Sequence, residues 1–164
     1  MQRTLINQTP KLSGKKVTLA GWIDSIRDHG KITFLDLRDR TGKIQVVGQS
    51  IPKLNQEDVV EIIGLVKARP DKLINSKIAT GSVEIEIEKI TVISKSQELP
   101  IPLNTDGYEI DEIHRNKYRY LDLRRPRMTQ NLKTRSQVTQ FIRNFLSQQD
   151  CVEIETPILT KTTP

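Results

Sequence analysis

The sequence predicts an all-β five-stranded barrel followed by a mostly helical second segment. Three observations carry this. Five strand-like runs fill the first 95 residues, most of them alternating apolar and polar side chains with period two and the fourth nearly all apolar until Lys67. Turn residues rich in Gly and Asp separate the early runs. Beyond Pro126, the apolar residues instead recur at spacings of three and four.

The first strand, Val17–Ile26, places Val17, Leu19, Gly21 and Ile23 inward, with Thr18, Ala20, Trp22 and Asp24 outward. The turn Arg27-Asp28-His29-Gly30 leads to Ile32–Arg38, where Leu35 and Leu37 read as core. Phe34, Asp36 and Arg38 then share the opposite face. Asp39-Arg40-Thr41-Gly42 reads as a hairpin turn with Gly where positive φ is wanted. Ile44–Gly48 follows, with Ile44 and Val46 inward and Gln45 and Val47 outward. Pro52–Asp58 reads as a short helix opened by proline. Val59–Arg69 is a fourth strand and Val83–Ile93 a fifth. In the fifth, Val83, Ile85 and Ile87 oppose Glu84, Glu86 and Glu88. Three strands, a short helix and two strands is the order of an OB-fold, a small barrel that binds oligonucleotides on one face.

Ser94–Asp111 reads as a linker containing Pro100, Pro102 and Gly107. Glu112–Leu123 has helical character, and Pro126 opens a longer helix over Arg127–Gln149. Its residues Val138, Phe141, Ile142, Phe145 and Leu146 form a stripe expected to be buried. A strand-like run from Cys151 to Thr160 ends the pattern without a partner, so the second unit reads as cut short. The expected domains are a barrel over 1–95, a linker and hinge over 96–125, and the incomplete start of a second domain over 126–164.

Charge narrows the function classes. The chain carries +6 overall. Arg115–Arg143 alone holds nine Lys or Arg against one acid, Asp122. That balance favours a polyanionic partner, although a solvated helix face would account for the same residues. One cysteine, Cys151, excludes an internal disulfide and a cysteine-based metal site and fits a reducing, cytoplasmic setting. His29 and His114 lack ligand-like neighbours, so no metal is expected. No apolar run is long enough for a membrane span, and the start has no signal-peptide core.

Phe34 is the outstanding candidate residue. An aromatic ring on the polar face of a strand adds nothing to the core, and stacking on a nucleic-acid base gives it a purpose. Gln45, outward on the adjacent strand, offers a donor and an acceptor to a base edge. Glu84 is an acid on the same kind of face, which suits acceptance from a guanine NH; the alternation with Glu86 and Glu88 equally fits a solvated face. Arg27 and Arg69 are candidates for phosphate or base contacts near the same groove.

Three segments together carry a family resemblance. Gly21-Trp22-Ile23, Arg27-Asp28-His29-Gly30 and Phe34-Leu-Asp-Leu-Arg-Asp-Arg40 resemble the N-terminal anticodon-binding OB-fold of bacterial-type aspartyl-tRNA synthetases. Lys117-Tyr-Arg-Tyr-Leu-Asp-Leu-Arg-Arg-Pro-Arg-Met128 is similar to a signature of the same class II enzymes. Ile154-Glu-Thr-Pro-Ile-Leu-Thr160 resembles their motif 1.

The resemblance implies an ATP-dependent aspartate–tRNA ligase using Mg2+ and acting on tRNA-Asp, as a homodimer when full length, with a helical hinge after the barrel and residues 126–164 as the truncated start of its α+β catalytic domain. Motifs 2 and 3, which in the family contact ATP and aspartate, are not among these residues, so no cofactor and no catalytic residue is expected here and this stretch alone is expected to be inactive. The positions matching Gln45 and Glu84 read the middle and first anticodon bases in the family, and Asn75 matches a position near the anticodon. His29 stands where members carry Leu or His, and His implies charging of tRNA-Asn as well. Pro157 matches the motif 1 proline of the dimer interface. The alternatives are a free-standing OB-fold RNA-binding module and an asparaginyl- or lysyl-tRNA synthetase segment; the Tyr118–Pro126 wording favours the aspartyl type.

Overall fold

The structure, a computed structural model, describes residues 2–159. They form two compact units divided between Leu99 and Pro100.

The first unit is a closed barrel of β1 (Lys16–Asp28), β2 (Thr33–Asp39), β3 (Gly42–Gly48), β4 (Val59–Ala68) and β5 (Val83–Ser94), in the spatial order β1-β2-β3-β5-β4. All pairings are antiparallel except β3 with β5, which closes the barrel through Val46↔Ile85 and Val47↔Glu86. Closure removes the open edges that a five-stranded sheet would otherwise expose. The five-stranded OB-fold architecture expected from the sequence is the one observed.

The alternation in each strand sets the inside. Leu19, Ile23, Leu35, Leu37, Ile44, Val46, Val60, Ile62, Val66 and Ile85 are fully buried. This core is aliphatic, and the unit's two large aromatic rings, Trp22 and Phe34, lie on the outer face. Strongly coiled strands approach closely at two glycines. A Cβ on Gly21 would lie 2.3 Å from the Arg38 carbonyl oxygen, and one on Gly64 would lie 2.3 Å from that of Glu86. Register shifts between Ile23 and Ser25 and between Ile63 and Gly64 bend the strands near these points.

Two features of the first unit depart from the sequence reading. Residues 52–58 form no helix. Tertiary contacts take their backbone groups instead: Glu57 N–H donates to the Ile23 carbonyl at 2.7 Å, and Ile23 N–H donates to that of Asp58 at 2.9 Å. The Asp58 carboxylate accepts from Asn55 N–H and Ser96 N–H at 2.8 and 2.6 Å. In the β2–β3 turn Gly42 takes a positive φ of 157°, as expected, and the Asp39 carboxylate accepts from Thr41 N–H and Oγ1 at 2.7 and 2.6 Å. A 3-10 helix over Ile6–Leu12 has no counterpart in the sequence pattern. Ile6 inserts fully into the core, and its N–H donates to Asp39 Oδ2 at 3.0 Å.

The second unit contains α1 (Glu112–Lys117), α2 (Arg119–Asp122) and α3 (Pro126–Ser147). Asp111 caps α1 by accepting from Ile113 N–H at 2.7 Å, and Pro126 occupies the first turn of α3 as expected. Asp122 is fully buried and accepts from Arg115 Nε at 3.1 Å, Arg119 Nη1 at 3.0 Å and Arg125 Nε at 2.8 Å. Arg125 is also fully buried, and its Nη1 donates to the Thr105 carbonyl at 3.0 Å. Gly107, at φ +84°, admits this guanidinium: a Cβ there would lie 2.8 Å from Arg125 Nε.

The expected buried stripe on α3 is exposed. Phe141 and Phe145 stack at 6.4 Å but remain 69% and 53% accessible. No α3 residue is buried, because none of the described residues covers that face. Cys151 to Leu159 adopts no strand, since a strand needs a hydrogen-bonded neighbour and has none among the described residues. Thr160 lies outside the described residues.

Candidate nucleic-acid interface

The outer face of the barrel collects most of the residues singled out from the sequence. Phe34 on β2 lies opposite Arg27 on β1 and Val47 on β3. Its ring is half-buried, and the His29 imidazole stands nearly perpendicular to it, 5.6 Å between centroids and 84° between planes. The β1–β2 turn fixes His29 there. His29 N–H donates to the Ile32 carbonyl at 3.0 Å, Gly30 takes φ +79°, and Gly30 N–H donates to Asp28 Oδ1 at 2.9 Å. The ring is thus buttressed by the turn but stands outside the core.

A continuous polar chain runs beside Phe34. Ser25 Oγ donates to Asp36 Oδ2 at 2.6 Å. Asp36 Oδ1 accepts from Arg27 Nη2 at 3.1 Å, and the same nitrogen reaches Gln45 Oε1 at 3.4 Å. Gln45 Nε2 donates to Glu84 Oε2 at 2.9 Å, and Arg69 Nε lies 3.6 Å from that oxygen as an ion pair without a hydrogen bond. Four strands, with Arg69 just beyond the end of β4, therefore contribute to one line of alternating acceptors and donors. Gln45 is outward, as expected, yet only 8% exposed, because its neighbours cover it.

The other acids of β5 are different. Glu86 pairs with Lys67 at 2.7 Å, and Glu88 pairs with Lys16. These are exposed pairs of the kind that contribute little. Only Glu84 is joined to Gln45. Asn75 is exposed in the β4–β5 connection, where its Oδ1 accepts from Lys77 N–H at 3.0 Å and its N–H donates to the Gly81 carbonyl at 3.2 Å. It stands apart from the polar chain. Pro157 is exposed within the second unit.

Sequence reasoning missed Asp36 and Ser25. The signal was present for Asp36, which shares a strand face with Phe34 at i+2. Ser25 carries no comparable signal, because the register shift beside it breaks the simple alternation. Farther along the same outer face, Arg38 is committed to structure. It donates to Asp24 at 3.2 Å and Glu57 at 2.5 Å and lies 5.7 Å from the Trp22 ring centroid.

An aromatic ring flanked by fixed donors and acceptors, on the face of a closed five-stranded barrel, is suited to an unpaired base: the ring takes a π-face and the polar groups take an edge. Comparison with known proteins agrees. Residues 17–93 match the OB-fold nucleic acid binding domain of the tRNA anticodon-binding family, and residues 111–164 match the tRNA synthetases class II (D, K and N). The chain belongs to the class II tRNA synthetases. The anticodon-domain match in this class II synthetase chain covers all five strands to within a residue at either end. The chain is 44% identical over 158 residues to the aspartate–tRNA(Asp/Asn) ligase of Streptococcus mutans and 48% identical over 160 residues to that of a Hydrogenobaculum species. Each match covers 92% of this synthetase chain but 27% of the relative, so the chain spans about a quarter of their length. Among solved structures, the aspartyl tRNA synthetase of Entamoeba histolytica superimposes with a TM-score of 0.84 at 25% identity, covering 97% of this chain and 40% of that one.

Proposed function

We propose that the barrel binds the anticodon of a tRNA and belongs to an aspartate–tRNA ligase that charges tRNA-Asp and, with His29 beside the stacking ring, tRNA-Asn. The carrying observation is Phe34, a ring held outside the core at the head of a polar chain that includes Arg27, Gln45, Glu84 and Arg69. In this reading Phe34 stacks on one anticodon base, Gln45 reads the edge of the middle base and Glu84 that of the first. Arg27 and Arg69 balance the acids and approach phosphates, and Asn75 contacts the loop from the β4–β5 connection. The first two relatives named above carry both tRNA-Asp and tRNA-Asn in their names, which supports the double specificity.

The complete enzyme is proposed to be a cytoplasmic homodimer with Pro157 at its interface, using ATP and Mg2+. No helix of the described residues is long and apolar enough to cross a membrane. Among the described residues no group of three or more His, Cys, Asp or Glu side chains could hold a metal ion, and no chemical step is assigned to them.

The test is a fluorescence-anisotropy titration of this chain with anticodon stem-loops of tRNA-Asp, tRNA-Asn and tRNA-Lys. The Asp and Asn loops are expected to bind more tightly than the Lys loop. Phe34→Ala is expected to weaken both by about tenfold to a hundredfold, the worth of one base–aromatic stack. Its melting curve should stay that of the parent, because Phe34 is not in the core. Equal binding of all three loops, or an unaffected Phe34→Ala variant, rejects the proposal.

A further inference from the structure

The polar chain does more than surround Gln45: it fixes which way round the Gln45 amide points. A glutamine amide has two orientations that exchange its oxygen and nitrogen, and only neighbours with a single hydrogen-bonding role can choose between them. Here both neighbours have a single role. Arg27 can only donate, and its Nη2 faces Gln45 Oε1 at 3.4 Å. Glu84, when ionised, can only accept, and its Oε2 faces Gln45 Nε2 at 2.9 Å. Turning the amide over would set nitrogen against guanidinium and oxygen against carboxylate, losing both bonds.

Arg27 is the weaker half of this lock. Its side chain is 52% exposed, and a long exposed side chain samples many rotamers unless it is held. Asp36 holds it. The Asp36 carboxylate lies directly across from Gln45 in the β2–β3 register and accepts from Arg27 Nη2 at 3.1 Å. Asp36 is itself pinned by the Ser25 hydroxyl at 2.6 Å through its other oxygen. The arrangement is a relay from Ser25 to Asp36 to Arg27 to the oxygen of Gln45, with Glu84 closing it at the nitrogen.

The consequence is chemical. With one N–H given to Glu84 and one lone pair to Arg27, Gln45 has one N–H and one lone pair left, with the oxygen and nitrogen in a fixed order. Uracil and cytosine present opposite orders at the same two ring positions. Uracil has an acceptor at O4 and a donor at N3–H, whereas cytosine has a donor at its 4-amino group and an acceptor at N3. A freely turning amide pairs with either pyrimidine, whereas a locked one accepts a single order. We propose that Asp36, held by Ser25, is a positioning residue that sets the hand of the Gln45 amide through Arg27 and so makes the stacked base position discriminate uracil from cytosine. This rests on the reading of Phe34 and Gln45 as base contacts.

The experiment measures Kd for two tRNA-Asp anticodon stem-loops that differ only in uracil or cytosine at the middle position. The parent chain is expected to separate them by about tenfold to a hundredfold, the range of one well-placed bidentate base contact. Asp36→Ala removes a negative charge and strengthens both complexes through phosphate attraction, so the ratio of the two Kd values is the readout. That ratio is expected to fall at least fivefold in Asp36→Ala. Asp36→Asn should retain most of it, because the amide can still accept from Arg27 and donate to Ser25 Oγ. Ser25→Ala should lower the ratio less than Asp36→Ala does, and it carries the test should Asp36→Ala not fold.

A parent chain that binds neither loop, or a Phe34→Ala variant that binds both as the parent does, overturns the base-contact reading and the relay with it. A parent that binds and discriminates, with Phe34→Ala weakening both loops, but whose ratio survives Asp36→Ala (or Ser25→Ala, if that is the variant that folds), overturns the relay alone.

Discussion

Asp122 shows how one residue can reverse the meaning of a charge pattern. Burial pushes its carboxyl up, but hydrogen bonds from Arg115 and Arg125 outweigh that and hold it below the usual carboxylate range. A carboxyl whose folded pKa is depressed stabilises the fold above its unfolded value, near 4, and loses that contribution as pH falls through the folded value. Thermal melts from pH 7 down to pH 2 are therefore expected to show an acid-side loss of stability. Asp122→Asn should abolish the component due to this residue. Asp122→Ala at pH 7 leaves Arg125 buried without its counter-charge, which costs about 3–5 kcal/mol, measurable by urea unfolding. Nothing in the order of amino acids marked Asp122 as the centre of this cluster. The sequence showed one acid among nine cations, and only the chain's folding brought Arg115, Arg119 and Arg125 around it. Phe34 is the opposite case. Its placement outside the core followed from strand alternation alone, and the structure agrees.

Among the elements, the barrel strands were the most legible because burial on one side forces a period of two, and a shift of one residue would turn every side chain around. Leu35, Leu37, Ile44 and Val46 all fall inside as that rule demands. Elements held by contacts distant in sequence were not legible. Ile6–Leu12 owes its place to the core and to Asp39, and residues 52–58 trade helical hydrogen bonds for contacts with Ile23 and Ser96. Closure also depends on two glycines whose role is invisible in the pattern. Gly64→Ala is expected to destabilise the barrel by about 1–3 kcal/mol, as overpacking does. Its Cβ would meet the Glu86 carbonyl oxygen at 2.3 Å and Ile85 Cγ2 at 2.7 Å, forcing β4 from β5. A denaturant midpoint equal to that of the parent would count against this close approach.

For the whole molecule, the net charge of +6 overstates the cations available to a polyanion. Of the nine in Arg115–Arg143, three are spent on Asp122, and Arg143 pairs with Glu153 at 2.9 Å. On the barrel, Arg27, Arg38 and Arg69 each face a carboxylate. Each phosphate neutralised adds about 0.7–0.9 to the slope of log affinity against log salt. Nine unpaired cations would give a slope of about −6 to −8, and at most five give one no steeper than about −4 to −5. Titrations of tRNA-Asp between low and moderate salt are expected to fall in the shallower range. A slope steeper than about −6 would mean that binding releases arginines from their internal partners.

The sequence by itself determined the five strands, their inward faces, the helix beginning at Pro126 and the placement of Phe34 and Gln45 on the outer face. These depend on local periodicity and on the chemistry of single side chains, both of which are written in the order of residues. Only the tertiary structure decided that Gln45 is locked between Arg27 and Glu84, that Asp36 and Ser25 belong to the same chain of contacts, and that Asp122 absorbs three arginines. It also decided that the stripe on α3 is exposed. The physical reason is common to all of these. A hydrogen bond or a buried face needs a partner, and partners between strands or across a turn are chosen by register and closure, which no local pattern specifies.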